Sequence, residues 1–319
     1  MRAYFAIKQK IHSDSEGFVY DLSPVSVTLT QLRSFLAVVR SGSVTAAADE
    51  LVVTQPSVSA AITALSREVG TPLLQRDGRG VRPTPAGDAF APYATDVIGL
   101  LQKGRQAARE AAAASERVLR IAAVTTAAES FVPGLMQAFS TEHPEVRLGL
   151  AVGNRDQVLD WLVTHEADVA FGGRPPNDER LDARPFRPNA LLLVSAADDP
   201  LAGGRPVSPT ELGGRTWLLR EPHSGTRSAN EEFLTANALH GETLTVGSNG
   251  AIRQAARIGL GISFLSADAV TSDVEAGLLG VIAIDPAPPP RAWHVMRVAV
   301  GPPRPLIDEF VAFVTASAG

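Results

Sequence analysis

The run from Ser43 to Leu65, SVTAAADELVVTQPSVSAAITAL, constrains this chain more than any other. It reads as two short helices joined by a tight turn. Ala46, Ala47, Ala48 and Leu51 give the first helix a small, apolar side. A second helix can cross closely there, as a helix-turn-helix requires. Val52 and Val53 are expected to fill the turn. Thr54 is placed to cap the second helix, and Pro56 falls in its first turn, where a missing N–H costs nothing. Val58, Ile62 and Leu65 recur at helical spacing and face inward. Gln55, Ser57, Ser59, Ala60 and Thr63 are left outside, short enough to enter a major groove and reach base edges and phosphates. A compact helical hairpin of another kind would bury alanines in the same way, so this spacing alone leaves both readings open.

The flanks favour the first reading. Upstream, Leu32, Phe35, Leu36 and Val39 predict a third amphipathic helix ending at Ser41-Gly42. Downstream, Gly70 reads as a C-cap, and Leu73 and Leu74 return to the core. Arg67, Arg76, Arg79 and Arg82 follow the second helix of the pair, the last three flanking a Gly78/Gly80 turn. That pattern predicts a wing, a two-stranded ribbon presenting guanidinium groups to phosphate or minor groove.

Residues 28 to 87 resemble the winged helix-turn-helix of the LysR-type transcriptional regulators. The resemblance rests on Phe35, Val38, Gly42-Ser43, Ala47-Ala48, Leu51, Thr54-Gln55-Pro56, Val58-Ser59, Ile62, Leu65, Gly70, Pro72-Leu73, Arg76, Thr84 and Ala86-Gly87, in order and at fixed spacing. Ser66 stands where the family usually has Glu, and Leu74 where it usually has Phe. The resemblance implies Gln55, Pro56, Ser57, Ser59, Thr63, Arg67, Arg76, Arg79 and Arg82 as DNA-contacting residues. It also implies double-stranded promoter DNA, a second copy of the chain and RNA polymerase as partners.

Charge does not announce a DNA binder. The chain of 319 residues carries a formal net charge of −5. Residues 28–90 hold six Arg against five acids. The placement of arginines after the second helix must therefore matter more than the total, and multivalent binding by an oligomer would multiply a modest attraction. The chain has no cysteine, which excludes disulfides and thiolate chemistry. No run approaches the roughly 20 apolar residues of a membrane span. The first residues lack a signal-peptide core, so the expectation is a cytoplasmic protein.

Four segments are expected. Residues 1–26 form an extension without periodicity, read as a disordered tail. Residues 27–85 are the winged helix-turn-helix. Residues 86–115, rich in Ala and ending in REAAAAS, read as a long linker helix with an apolar stripe of Phe90, Tyr93, Ala94, Val97, Leu100, Leu101 and Ala108. Such a stripe packs either on its own domain or on another copy; the family resemblance implies a dimer contact. Pro92 is a place for a kink. Residues 116–319 alternate strands and helices and predict a mainly parallel α/β architecture. The expected fold is thus a winged helix-turn-helix, a linker helix and a two-lobed α/β effector domain of periplasmic-binding-protein type. Lobe I covers about 118–189 and 288–319, and lobe II about 190–287.

In open sheets ligands sit beyond the carboxyl ends of strands, facing helix N-termini. Those places hold Thr125, Thr126, Asn154, Arg155, Arg174, Ser224, Gly225, Thr226, Arg227, Ser248 and Asn249. Any one of them could simply cap a helix. Together they suit a small anionic effector. The segments REPHSGTR, GNRDQV, GGRPP and GSNGAIRQAARIGLGISFLS are similar to those of CbbR-type regulators of carbon-fixation operons. His223 departs from that pattern, where Gly is usual. No cofactor, metal site or catalytic group is expected. The six His show no metal-ligand pairing, and no nucleophile elbow or dinucleotide fingerprint occurs. A small-molecule binding protein without DNA contact is the alternative.

Overall fold

The computed structural model describes residues 26–78, 80–112, 117–302 and 304–317, with backbone alone for 109–112. The expected N-terminal tail, Arg79 and residues 113–115 of the expected linker lie outside the described residues, apart from Ser26 of the tail. The chain divides into two compact units, residues 1–94 and 95–319.

In the first unit, helices α1 (Leu29–Ser41), α2 (Val44–Leu51) and α3 (Gln55–Val69) precede strands β1 (Leu74–Asp77) and β2 (Gly80–Pro83). A capping box, in which Thr28 and Gln31 satisfy each other's backbone N–H groups, starts α1. Gly42 ends it in the left-handed conformation at φ 66°. Thr54 caps α3, Pro56 lies in its first turn, and Gly70 closes it at φ 80°. Ala37, Val38, Ala47, Ala48 and Val58 form the tri-helical core. Val52 and Val53 occupy the turn between α2 and α3 as expected, but both are exposed there. Val52 is 90% exposed, because it takes the left-handed C-cap of α2 and returns its N–H to Ala48 and Asp49. β1 and β2 pair antiparallel around Gly78, and Val81 N donates to Gly42 O, which ties the wing to the end of α1.

Helix α4 (Pro85–Ala112) follows. Thr84 starts it, its hydroxyl accepting from Gly87 N and donating to Pro72 O. Gly87 is required, since a Cβ there would lie 2.0 Å from Leu73 O.

The second unit has two lobes. Lobe I is a five-stranded sheet in the order β4-β3-β5-β12-β6. Its strands are β3 (Arg117–Val124), β4 (Val146–Gly153), β5 (Val169–Gly172), β6 (Leu181–Pro188) and β12 (Ala292–Val298). β3 pairs parallel with β4 and β5, but β12 runs antiparallel to β5 and β6. The sheet is thus mixed where alternation suggested mainly parallel. The reason is β12, which returns from the second lobe and runs against both its neighbours; β6, which follows β5 without an intervening helix, was not anticipated. Helices α5 (Thr125–Glu129), α6 (Val132–Glu142), α7 (Arg155–Val163) and α11 (Pro305–Ala316) cover the sheet. Phe139, Phe171, Phe310 and Trp293 fill one face.

Lobe II holds β7 (Leu191–Ser195), β8 (Trp217–Leu219), β9 (Thr243–Thr245), β10 (Ser263–Ser266) and β11 (Gly280–Ile282). β10-β7-β11 form an antiparallel sheet, β8 and β9 pair parallel, and a bridge from Trp217 to Ile262 joins the sets. Helices α8 (Gly225–Ala236), α9 (Asn249–Arg257) and α10 (Ala267–Glu275) surround them. The chain crosses between lobes after β6 and before β12, where Asn189 N donates to Arg291 O. Among the described residues no helix is long and apolar enough to cross a membrane.

Candidate functional site

On the first unit, burial of Val58 and Leu65 turns the opposite face of α3 to solvent. Gln55, Pro56, Ser57, Ser59, Thr63 and Arg67 are all exposed there, as are Arg76 and Arg82 on the wing. Two hydroxyls have local partners: Ser57 Oγ lies 2.8 Å from Thr54 Oγ1, and Thr63 Oγ1 donates to Ser59 O at 2.8 Å. Gln55 and Ser59 are therefore the polar tips least committed to their own helix. Arg82 lies 3.8 Å from Asp77 across the wing, an exposed pair that water and a competing phosphate can exchange.

In the second unit, a cavity of about 400 Å³ opens between the lobes. The N-termini of α7 and α8 reach it from opposite sides. Asn154 caps α7 through a reciprocal capping box with Gln157. Ser224, 5% exposed, precedes α8 with no side-chain cap bond. Thr125, Thr126, Asn154, Arg155, Arg174, Ser224, Gly225 and Thr226 line the cavity, which brings together eight of the residues singled out from the sequence.

Three singled-out residues do not line it. Arg227 points to the far side of α8, donating to Glu231 Oε1 at 2.7 Å and to Arg220 O at 2.9 Å. Ser248 caps α9 through Ala251 N. Asn249 sits one shell behind the cavity: its Nδ2 donates to Thr126 Oγ1, and its Oδ1 accepts from Arg220 Nη1, both at 2.6 Å. All three members of that chain are buried, and it joins lobe II to lobe I.

Asn189, Arg220, Glu232, Ser266, Arg291 and Trp293 also line the cavity. Arg220 and Ser266 end strand segments, so the strand-end rule could have found them. Asn189 and Arg291 come from the crossovers, where no local motif marks them. Arg220 is 4% exposed and forks onto Glu221 at 2.7 and 2.8 Å. Burial pushes the Glu221 carboxyl up, but the Arg220 hydrogen bonds outweigh it, so its pKa is lowered. Arg291 lies 4.0 Å from Glu232. Four arginines and one carboxylate thus line the cavity, with Arg220 already paired to Glu221. Asn189 Oδ1 is buried without a partner. Trp293 Nε1 and Arg187 Nη2 converge on Asp268 at 2.7 and 2.6 Å, a second bridge between lobes.

No group of three metal-ligating side chains occurs among the described residues. The architecture is that of a ligand-responsive regulator: a helix-turn-helix with an exposed recognition face, and a two-lobed domain closing on a polar cavity. The model of the bacterial regulatory helix-turn-helix protein, lysR family, matches residues 29–88, and that of the LysR substrate binding domain matches residues 112–319. The chain belongs to the LysR family. It is a DNA-binding transcriptional regulator with a substrate-binding domain, and its family and relatives are regulators rather than enzymes.

The HTH-type transcriptional activator CmpR of Synechocystis is 33% identical over 272 residues, 85% of this chain and 89% of that protein. The RuBisCO operon transcriptional regulator of Acidithiobacillus ferrooxidans is 32% identical over 291 residues, 91% of this chain and 94% of that protein. Among solved structures, the regulatory domain of Synechocystis CcmR in complex with 2-PG aligns at TM-score 0.60 and 31% identity. It covers 63% of this chain and 97% of that domain.

Proposed function

We propose that this regulator controls a carbon-assimilation operon and senses a small phosphorylated or carboxylated anion bound between its lobes. The carrying observation is the wall of the cavity: Arg155, Arg174, Arg220 and Arg291 against Glu232, with the first turns of α7 and α8 converging. Guanidinium forks and helix N-termini both favour planar or tetrahedral oxyanions. Thr125, Thr126, Asn154, Ser224, Gly225 and Thr226 add hydrogen-bonding groups of the kind such an anion needs. Arg227, Ser248 and Asn249 act behind the site, holding α8, the cap of α9 and the Arg220–Thr126 bridge. The relatives that act on RuBisCO operons and the relative bound to 2-PG support the choice of operon and ligand class.

On DNA, Gln55 and Ser59 read base edges, with Pro56, Ser57 and Thr63 lining the same face. Arg67, Arg76, Arg79 and Arg82 contact backbone or minor groove. The protein works in the cytoplasm, beside the chromosome. Sequencing the DNA retained from its own genome, with and without phosphoglycolate and phosphoglycerate, tests the assignment. Enrichment of promoters next to carbon-assimilation genes, altered by the anions, is expected. Enrichment elsewhere removes the operon, and indifference to every anion removes the ligand class.

A further inference from the structure

His223 stands at φ 68°, a left-handed backbone region that few residues other than glycine adopt. Its Nδ1 lies 2.7 Å from Asp156 Oδ2. His223 belongs to lobe II, immediately before Ser224 of the cavity wall. Asp156 belongs to lobe I, in the first turn of α7, immediately after Arg155 of the opposite wall. The other oxygen of that carboxylate, Oδ1, lies 3.6 Å from Arg155 Nη1. Gly225 lies beside Arg155 across the same rim, where a Cβ would sit at an ordinary van der Waals distance of 3.7 Å from Arg155 Cδ.

We infer that His223 and Asp156 form a clasp across the rim of the cavity that holds the lobes together and positions Arg155 for the bound anion. Asp156 shares its two oxygens between a residue of the other lobe and the arginine of its own. A carboxylate engaged by His223 is less able to draw the Arg155 guanidinium out of the cavity. Both side chains are half-exposed or more, at 67% for His223 and 53% for Asp156. A pair so exposed is a modest restraint, suited to setting how long a ligand stays rather than whether the lobes fold. The ligand part of this inference rests on the anion reading above; the interlobe part does not.

The chain has no cysteine of its own, so two spin labels can be placed cleanly at Asp160→Cys in lobe I and Glu275→Cys in lobe II. Distances between labels in the ligand-free full chain are compared for the otherwise unchanged protein, His223→Gly, Asp156→Asn and the double variant. The clasp predicts a longer or broader distribution in each single variant and no further change in the double. Stopped-flow release of phosphoglycolate should quicken about two- to fivefold in each, with association little changed. Distributions that superimpose on the unchanged protein overturn the clasp, whether or not the anion binds. Absence of binding by the unchanged protein, with the distance change present, leaves the clasp standing and removes the anion reading instead.

Discussion

His165 illustrates how a single buried group ties pH to this fold. It is fully buried at φ 63°, its Nε2 lies 3.1 Å from Asp96 Oδ1, and its Nδ1 has no partner. Burial, then the charge of Lys103, lowers its pKa against the pull of Asp96. A group whose pKa falls on folding stabilises the fold above its unfolded pKa, and that contribution is lost as pH falls through the folded value. Thermal unfolding followed from about pH 7.5 down to 5.5 should show a falling midpoint, because the window opens near the ordinary imidazole pKa of about 6.5. His165→Asn tolerates the left-handed backbone and keeps a donor, so it should flatten part of that slope. Equal slopes in both proteins would remove His165 as the cause. On the DNA side, Gln55→Ala and Ser59→Ala should each cost roughly 1–3 kcal/mol at one base position. Arg76→Ala or Arg82→Ala should weaken all sequences alike and flatten the salt dependence. Unchanged operator affinity in both α3 variants would contradict the assignment of the reading face. That face was legible in the sequence because Val58 and Leu65 fix which side of α3 is buried. The commitment of the Ser57 and Thr63 hydroxyls to local partners was not, since it depends on rotamers.

Helix α4 divides its surface between two tasks. Asp96, Gly99, Lys103 and Gln106 recur along one side and meet lobe I, with Gln106 Nε2 donating to Val118 O. Leu100 also turns inward, so close that a Cβ on Gly301 would lie 2.4 Å from its Cδ2. Tyr93, Val97 and Leu101 form a separate stripe, 71%, 50% and 44% exposed. The sequence showed one apolar stripe that included Leu100, and periodicity could not reveal that Gly99 and Leu100 were already spoken for within the chain. Val97→Asp with Leu101→Asp should therefore yield monomers by light scattering at micromolar concentration, and a persisting dimer would place the interface elsewhere. Two glycines of this helix give opposite expectations. A Cβ at Gly99 would lie 1.9 Å from His165 Cδ2, whereas nothing lies within 4 Å of one at Gly104. Gly99→Ala should cost about 1–3 kcal/mol by overpacking. Gly104→Ala should gain about 0.5–1 kcal/mol of stability. Denaturant midpoints that shift in the same direction for both would contradict this docking of α4.

At the scale of the whole effector domain, both lobes contribute arginines to one cavity. Arg155 and Arg174 come from lobe I, Arg220 from lobe II and Arg291 from the crossover. A ligand alters the regulator only by binding one arrangement of the lobes better than another. The bridges Arg220–Asn249–Thr126 and Arg187–Asp268–Trp293 are the contacts such a preference would strengthen or strain. Coupling of about 1–3 kcal/mol to DNA binding is the typical scale. The two lobes and eight of the residues lining their shared cavity could be read from alternating strands and helices. The crossover residues Asn189 and Arg291 could not, because they become neighbours only when distant strands β6 and β12 pair. The most direct test of the account is calorimetric titration of phosphoglycolate into the full chain and into its Arg174→Gln and Arg291→Gln variants. Saturable binding to the unchanged chain, weakened at least tenfold in each variant, is predicted. Equal affinity in all three proteins, or binding of a neutral apolar compound in place of the anion, would contradict it.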